Sequence, residues 1–300
     1  MNPYYKDFSE YMLEVFPGMK VQKLSIDAGF TCPNRDGSIG RGGCIYCNNA
    51  SFSPDYALRP TDIAEQIERG KAFFARKYPQ MRYLAYFQSY TSTNAPIANL
   101  ISLYDQALAD PQIDGIIIGT RPDCITPELL GRLAEIARTR FVMIEYGAES
   151  ANDHTLQRIN RCHTWADTVN AVRLTASLGI PVGLHLIIGL PGETREDIFR
   201  TIDAVNGLPV QTLKCHQMQV IRGTRLAQEY AAGTADLLDL TDPETYADLC
   251  VDILSRLRPD IAVERFVSQA PAPMLIHPRW GLKNYQFTNL LRQRLTDQNP

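Results

Sequence analysis

The sequence predicts an α/β protein: a partial (βα)6, TIM-like barrel with a C-terminal α/β extension, with a doubly wound open sheet as the competing architecture. Three observations predict it. Six short apolar runs recur along the 300 residues, with helical patterns carrying start and stop signals between them. The runs are mostly continuous rather than alternating, as strands covered on both faces are. Repeated strand–helix units joined by right-handed crossovers wind a parallel sheet. Hydrophobic content of 45% is enough for a full core, and charged content of 21% is ordinary.

The strands are expected at 21–26 (V-Q-K-L-S-I), 83–88 (Y-L-A-Y-F-Q), 115–119 (G-I-I-I-G), 141–147 (F-V-M-I-E-Y-G), 182–189 (V-G-L-H-L-I-I-G) and 212–220 (T-L-K-C-H-Q-M-Q-V). Thr61 precedes the helical spacing of Ile63, Ile67 and Phe73/Phe74. Thr126-Pro127 opens a helix through Leu129, Leu130, Leu133 and Ile136, with proline at its first position. Thr164 opens another that stops at Gly179, a C′ residue. Thr194-x-x-Asp197 reads as a capping box before Ile198, Ile202 and Val205. Beyond about residue 235 come a helix at 243–257, a strand at 261–266 (I-A-V-E-R-F) and a loop, Q-A-P-A-P-M-L-I-H-P-R-W-G-L-K-N-Y. The expected division is a barrel over 15–232 and an extension packed on it over 233–300.

No apolar stretch approaches the ~20 residues of a membrane helix. A net charge of −3 and a pI near 6.0 do not advertise nucleic-acid binding, although a local basic patch suffices for it. Seven cysteines, an odd number, and a start with acidic residues and no apolar signal core predict a reduced, cytoplasmic protein.

Cys32, Cys44 and Cys47 stand in the run T-C-P-N-R-D-G-S-I-G-R-G-G-C-I-Y-C-N-N. Three clustered thiolates can hold an iron–sulfur cluster and leave one iron open, whereas four would close it. The glycines at 37, 40, 42 and 43 supply the backbone freedom that wrapping a cluster demands. A structural zinc site would need a fourth Cys or His from a second half-site, and no second C-x2-C or H-x3-5-H is present.

The segments G-F-T-C-P-N-R-D-G-S-I-G-R-G-G-C-I-Y-C-N, Y-F-Q-S-Y-T-S-T and G-T-R-P-D-C resemble the YhcC/YtqA family of radical S-adenosylmethionine (SAM) enzymes, relatives of the Elp3 radical SAM domain. The likeness covers roughly residues 15 to 230. It implies the partial barrel, a [4Fe–4S] cluster on Cys32, Cys44 and Cys47, and SAM bound at the open iron through its amino and carboxylate groups. The implied activity is reductive cleavage of SAM to a 5′-deoxyadenosyl radical. The spacing C-x11-C-x2-C replaces the commoner C-x3-C-x2-C.

Parallel barrels carry their chemistry on loops after the strand C-termini. Gln88 and Ser89 follow the second strand, where relatives hold the methionine amino group, although the glycine-rich pattern of relatives is absent here; a plain polar loop is the alternative. Glu149 and Ser150 end the fourth strand, and Glu149 can accept a ribose diol. Arg161, twelve residues later, matches an arginine of related enzymes and is expected on the SAM carboxylate; a surface helix position is the alternative. In the fifth strand Ile187 or Ile188 would pack on the adenine. His185 stands where relatives have an acidic residue, so it is either a ribose contact or a satisfied core histidine. Lys214 and His216 share one face of the sixth strand. Cys124 is either a small buried residue or a catalytic donor that quenches a substrate radical. Arg279, Trp280, Lys283 and Tyr285 could stack and hold an RNA loop, or Trp280 could plug the barrel bottom.

The resemblance suggests tRNA as substrate and an electron donor of the flavodoxin or ferredoxin type. The implied reaction converts carboxymethylaminomethyluridine to aminomethyluridine at the wobble position. Oxidation of a small molecule such as a porphyrinogen is the alternative within the class, for which Arg35, Arg41, Arg121 and Arg161 are available. A non-catalytic iron–sulfur or zinc protein is the alternative outside it.

Overall fold

The computed structural model describes residues 3–51, 62–75 and 81–298. In chain order the elements are α1 (Phe8–Val15), β1 (Val21–Ile26), α2 (Pro33–Asp36), α3 (Ile63–Ala75), β2 (Arg82–Phe87), α4 (Ile97–Leu108), β3 (Ile113–Thr120), α5 (Pro127–Ala137) and β4 (Phe141–Glu149). They continue with α6 (Asp153–Arg158), α7 (Trp165–Ser177), β5 (Val182–Ile188), α8 (Arg195–Asn206), β6 (Thr212–Gln217) and β7 (Val220–Ile221). The last are α9 (Arg225–Ala231), α10 (Pro243–Arg256), β8 (Ala262–Arg265), β9 (Leu275–His277) and α11 (Asn284–Gln298).

Seven strands form one sheet in the order β1-β2-β3-β4-β5-β6-β8, parallel throughout. The order never reverses, so the sheet is singly wound and the doubly wound alternative is excluded. The C-terminal strand expected at 261–266 joins this sheet as a seventh member instead of standing apart. β7 and β9 make a small antiparallel pair beside it.

The caps lie where the side chains dictate. Thr126 Oγ1 accepts Leu129 N at the start of α5, and Thr164 and Thr194 form full capping boxes with Asp167 and Asp197. Gly179 takes a left-handed φ of 73° just past α7. Thr61, expected to start α3, lies outside the described residues.

Strand residues alternate between two destinations. Leu184, Leu186 and Ile188 of β5 join the core under the outer helices. His185, Ile187 and, on β6, Lys214 and His216 face inward. The bottom of the interior is filled by Leu84, Tyr86, Ile117 and Met143, closed off by Tyr11 and Met12 of α1. The sheet curls far enough for its two edges to meet through side chains: Lys23 Nζ of β1 lies 2.5 Å from Glu264 Oε2 of β8. Ahead of α1, Lys6 O accepts Val263 N at 2.8 Å and covers the free edge of β8. Trp280 packs on Tyr246 and Phe287, and its Nε1 donates to Leu240 O and Thr241 O, so it serves as a plug and not as a base-stacking platform.

Candidate active site

A cavity of about 230 Å³ opens at the C-terminal ends of the strands, and Cys32, Cys44 and Cys47 all line it. The loop that carries them is short of regular structure, so it is fixed from outside. Asn160 Nδ2 donates to Gly43 O (2.8 Å) and Arg41 O (3.2 Å), Ile45 N donates to Ile159 O, and Leu226 N donates to Ile45 O. Gly43, at φ 74°, passes so close to Arg35 that a Cβ would sit 2.8 Å from its Nε. Arg35 Nη2 donates to Cys47 O at 2.7 Å. Burial, and then the neighbouring Cys44, push the Cys47 thiol up to about 11.

Arg161 is the hub between this loop and β4. Its Nη1 lies 3.6 Å from Cys44 Sγ, its Nε donates to His163 Nε2 at 3.0 Å, and its Nη2 donates to Gly147 O at 2.6 Å. Glu149 Oε1 is 3.2 Å from the same Nη2. Burial opposes the charge of Arg161, but Glu149, Tyr46 and Cys44 outweigh it and hold the guanidinium well above its usual range. The β4–β5 register slips between Gly147 and Glu149, and Glu149 adopts a left-handed φ of 66°. A bulge with such a residue re-aims a side chain, here toward the cavity. Gly147 leaves the room: a Cβ there would lie 2.6 Å from Arg161 Nη2 and 2.9 Å from Glu149 Oε1.

Below this layer lies a band of buried charge. Glu145, 1% exposed, accepts from Lys23 Nζ (2.6 Å), Lys214 Nζ (2.9 Å) and His185 Nε2 (2.7 Å). Glu264 accepts from both lysines. Burial alone would raise Glu145, but Lys214, Lys23 and His185 hold its carboxyl well below the usual range. Burial, and then Lys214, lower His185, so it is neutral.

The structure brings Gln88, Glu149, Arg161 and His185 together with the three cysteines around one cavity. Four expected site residues fall elsewhere among the described residues. Ser89 is buried behind the loop, and its neighbours Gln88, Tyr90 and Thr91 line the cavity instead. Ser150 turns away to donate to Glu193 Oε1 at 2.5 Å. Ile188 belongs to the core, and strand alternation puts Ile187 in the cavity wall. Cys124 sits outside the lining on the turn after β3, with burial and Asp123 pushing its thiol up to about 12.

Tyr46, Glu145 and Arg265 also line the cavity and carry no sequence signal of their own, and His216, paired with Lys214 on one face of the sixth strand by alternation, lines it too. Arg121 of G-T-R-P-D-C is buried there too. It grips Asp123 through Nε and Nη2 and donates to Arg161 O at 2.8 Å.

The donor set fits a polynuclear cluster. Cys32, Cys44 and Cys47 bring three thiols to one cavity. A cluster separates its protein ligands by its own width and takes thiolates.

Two family models match the chain: the radical SAM superfamily over residues 34–205 and the radical SAM C-terminal domain over residues 210–297. The chain is 39% identical to the protein YhcC of Escherichia coli (strain K12) over 264 residues, 88% of this chain and 83% of that one. It is 32% identical to the protein YtqA of Bacillus subtilis (strain 168) over 288 residues, 96% of this chain and 88% of that one. A tRNA uridine(34) acetyltransferase of Methanocaldococcus infernus is 27% identical over 182 residues, 58% of this chain and 33% of that protein. Among solved structures, the archaeal Methanocaldococcus infernus Elp3 lacking residues 1–46 superposes with a TM-score of 0.65 at 15% identity, covering 94% of this chain and 64% of that one. With its cysteine-lined cavity at the mouth of a singly wound parallel sheet, the chain belongs to the radical SAM superfamily of enzymes.

Proposed function

We propose that the protein cleaves SAM reductively at a [4Fe–4S] cluster and modifies the side chain of a tRNA wobble uridine, converting carboxymethylaminomethyluridine to aminomethyluridine. The 5′-deoxyadenosyl radical would take a hydrogen atom from the carbon beside the carboxylate, a one-electron acceptor would take the remaining electron, and water would cleave the resulting iminium C–N bond and release the two-carbon unit as glyoxylate. The observation that carries the first part is one cavity onto which three thiols and the Arg161–Glu149 pair all open. Cys32, Cys44 and Cys47 would hold the cluster. The cluster, when bound and reduced by a flavodoxin- or ferredoxin-type donor, supplies the electron that splits SAM into methionine and a 5′-deoxyadenosyl radical.

The chain's own residues bind and orient. Glu149, held toward the cavity by its bulge, is placed to accept hydrogen bonds from a ribose diol. Arg161, buried beside Cys44, offers positive charge where a carboxylate on the open iron would lie. Ile187 gives the cavity an apolar wall suited to a nucleobase. The tRNA substrate is supported by the kinship with a tRNA uridine(34) acetyltransferase.

The test is anaerobic reconstitution with iron and sulfide, reduction, and chromatography for 5′-deoxyadenosine, followed by nucleoside analysis of treated tRNA. Deoxyadenosine that depends on Cys32, Cys44 and Cys47, with loss of the carboxymethyl group from the wobble nucleoside, is the expected result. Deoxyadenosine with unaltered tRNA would discard the substrate and keep the chemistry.

A further inference from the structure

Arg265 ends β8 and lines the cavity. Among the described residues its guanidinium forms no close ion pair, although it acts at longer range on neighbouring Glu264, which both lysines already hold. Its Nη2 lies 3.5 Å from His216 Nε2, and its Nε is sealed from solvent without a hydrogen-bond partner. The other interior cations are matched, since Lys23 and Lys214 sit between Glu145 and Glu264. His185 and His216 add no charge: burial lowers both, helped by Lys214 and by Arg265 respectively. Three cations therefore face two carboxylates, and the unmatched charge is the one in the cavity wall. A half-buried guanidinium in a cavity wall, with its Nε sealed from water and unpartnered, calls for an anion.

We propose that this wall is an anion subsite in which Arg265 receives a carboxylate of the substrate. The inference rests on the reading of the cavity as that of a SAM-cleaving enzyme. The position is built in advance. Gln217 Oε1 accepts Ser268 N at 2.7 Å, and Gln217 Nε2 and Gln219 Nε2 both donate to Ser268 O, clamping the segment after Arg265 to β6. Neutral His216, beside the guanidinium, steadies its fork without repelling an anion. A carboxymethylamino side chain carries such a carboxylate at its tip, and anchoring it would fix the carbon next to it.

The test titrates three probes into anaerobic protein loaded with cluster and SAM: N-benzylglycine, benzylamine and benzylphosphonate. N-benzylglycine is expected to bind at least about tenfold tighter than benzylamine, as one charge-assisted fork implies. In Arg265→Met that preference is expected to vanish, and in Arg265→Lys part of it should return. Circular dichroism and iron content establish that each variant is folded and loaded. No carboxylate preference in the wild-type protein, or an undiminished one in Arg265→Met, overturns the subsite. Tighter binding of benzylphosphonate than N-benzylglycine reassigns the wall to phosphate and overturns the carboxylate. A carboxylate preference in an enzyme that leaves tRNA unaltered supports the subsite and discards the tRNA reading alone.

Discussion

Arg161 Nη2 stands 3.2 Å from Glu149 Oε1, and Nη1 of the same guanidinium lies 3.6 Å from Cys44 Sγ. One side chain thus ties the cysteine loop to the carboxylate on the fourth strand. The loop cannot shift without moving the group expected to meet the SAM ribose.

Glu149→Gln and Arg161→Ala are therefore expected to weaken SAM binding by about tenfold to a hundredfold, the range for losing one or two hydrogen bonds to charged groups. Equilibrium dialysis on the cluster-loaded protein measures it. An unchanged dissociation constant in both variants would remove the pair from the SAM site.

Gly147→Ala puts a Cβ where Arg161 Nη2 and Glu149 Oε1 already are. The pair must move, at an overpacking cost of about 1–3 kcal/mol. We expect a melting temperature lowered by several degrees together with weaker SAM binding. Normal affinity at normal stability would show that the site tolerates displacement of Arg161.

Cys44→Ala removes one of the three thiols that line the cavity. Reconstituted iron should fall to background and deoxyadenosine formation should cease, while the circular dichroism spectrum is retained. Full iron loading in this variant would refute the ligand assignment.

Glu145 and Glu264 have carboxyls held below their ordinary value because Lys214 and Lys23 outweigh burial. Their stabilisation is complete above the unfolded value near 4.5 and is lost as pH falls through the lowered folded values. Denaturant midpoints should drop steeply below about pH 4.5. Glu145→Gln should lose about 3–5 kcal/mol at neutral pH, because two buried lysines then share one carboxylate.

Glu193 behaves oppositely, since burial raises it to about 7. Its contribution is fully present below 4.5, the unfolded value, and is lost as pH rises through about 7. Glu193→Gln, which still accepts from Ser150, should exceed the wild-type protein in stability by about 1–3 kcal/mol at pH 8. Chemical denaturation at pH 5 and pH 8 decides it: an equal difference at both would deny the buried ionisation.

Much of this was legible in the chain. The strands announce themselves as apolar runs, and Thr126, Thr164 and Thr194 mark their helices because a cap is a local bargain between one side chain and two or three amides. The three cysteines are legible because their spacing and glycines leave little else for them to do. What stays hidden is parity. In a strand buried on both faces, apolar residues line both sides, so nothing local says that Ile187 and not Ile188 meets the cavity. The same ambiguity hid the inward turn of Lys214 and His216. Ser150 misled because a bulge at Gly147–Glu149 shifts the alternation by one. Glu145 and Arg265 were invisible for another reason: their partners lie on strands far away in sequence, and only the curl of the sheet brings them together.

That curl also bears on how the chain can be divided. The two matched family models meet between residues 205 and 210, yet β6 and β8, both beyond that point, complete the sheet begun by β1. The seam between Lys23 and Glu264 joins the first strand to the last. A chimera that exchanged the C-terminal part for a relative's would inherit half of the ionic band and the whole of Arg265's wall. It would need matching acids and bases across a junction that alignment alone places in a harmless loop. Recombination within this family should therefore succeed only between parents whose first and last strands carry complementary charge.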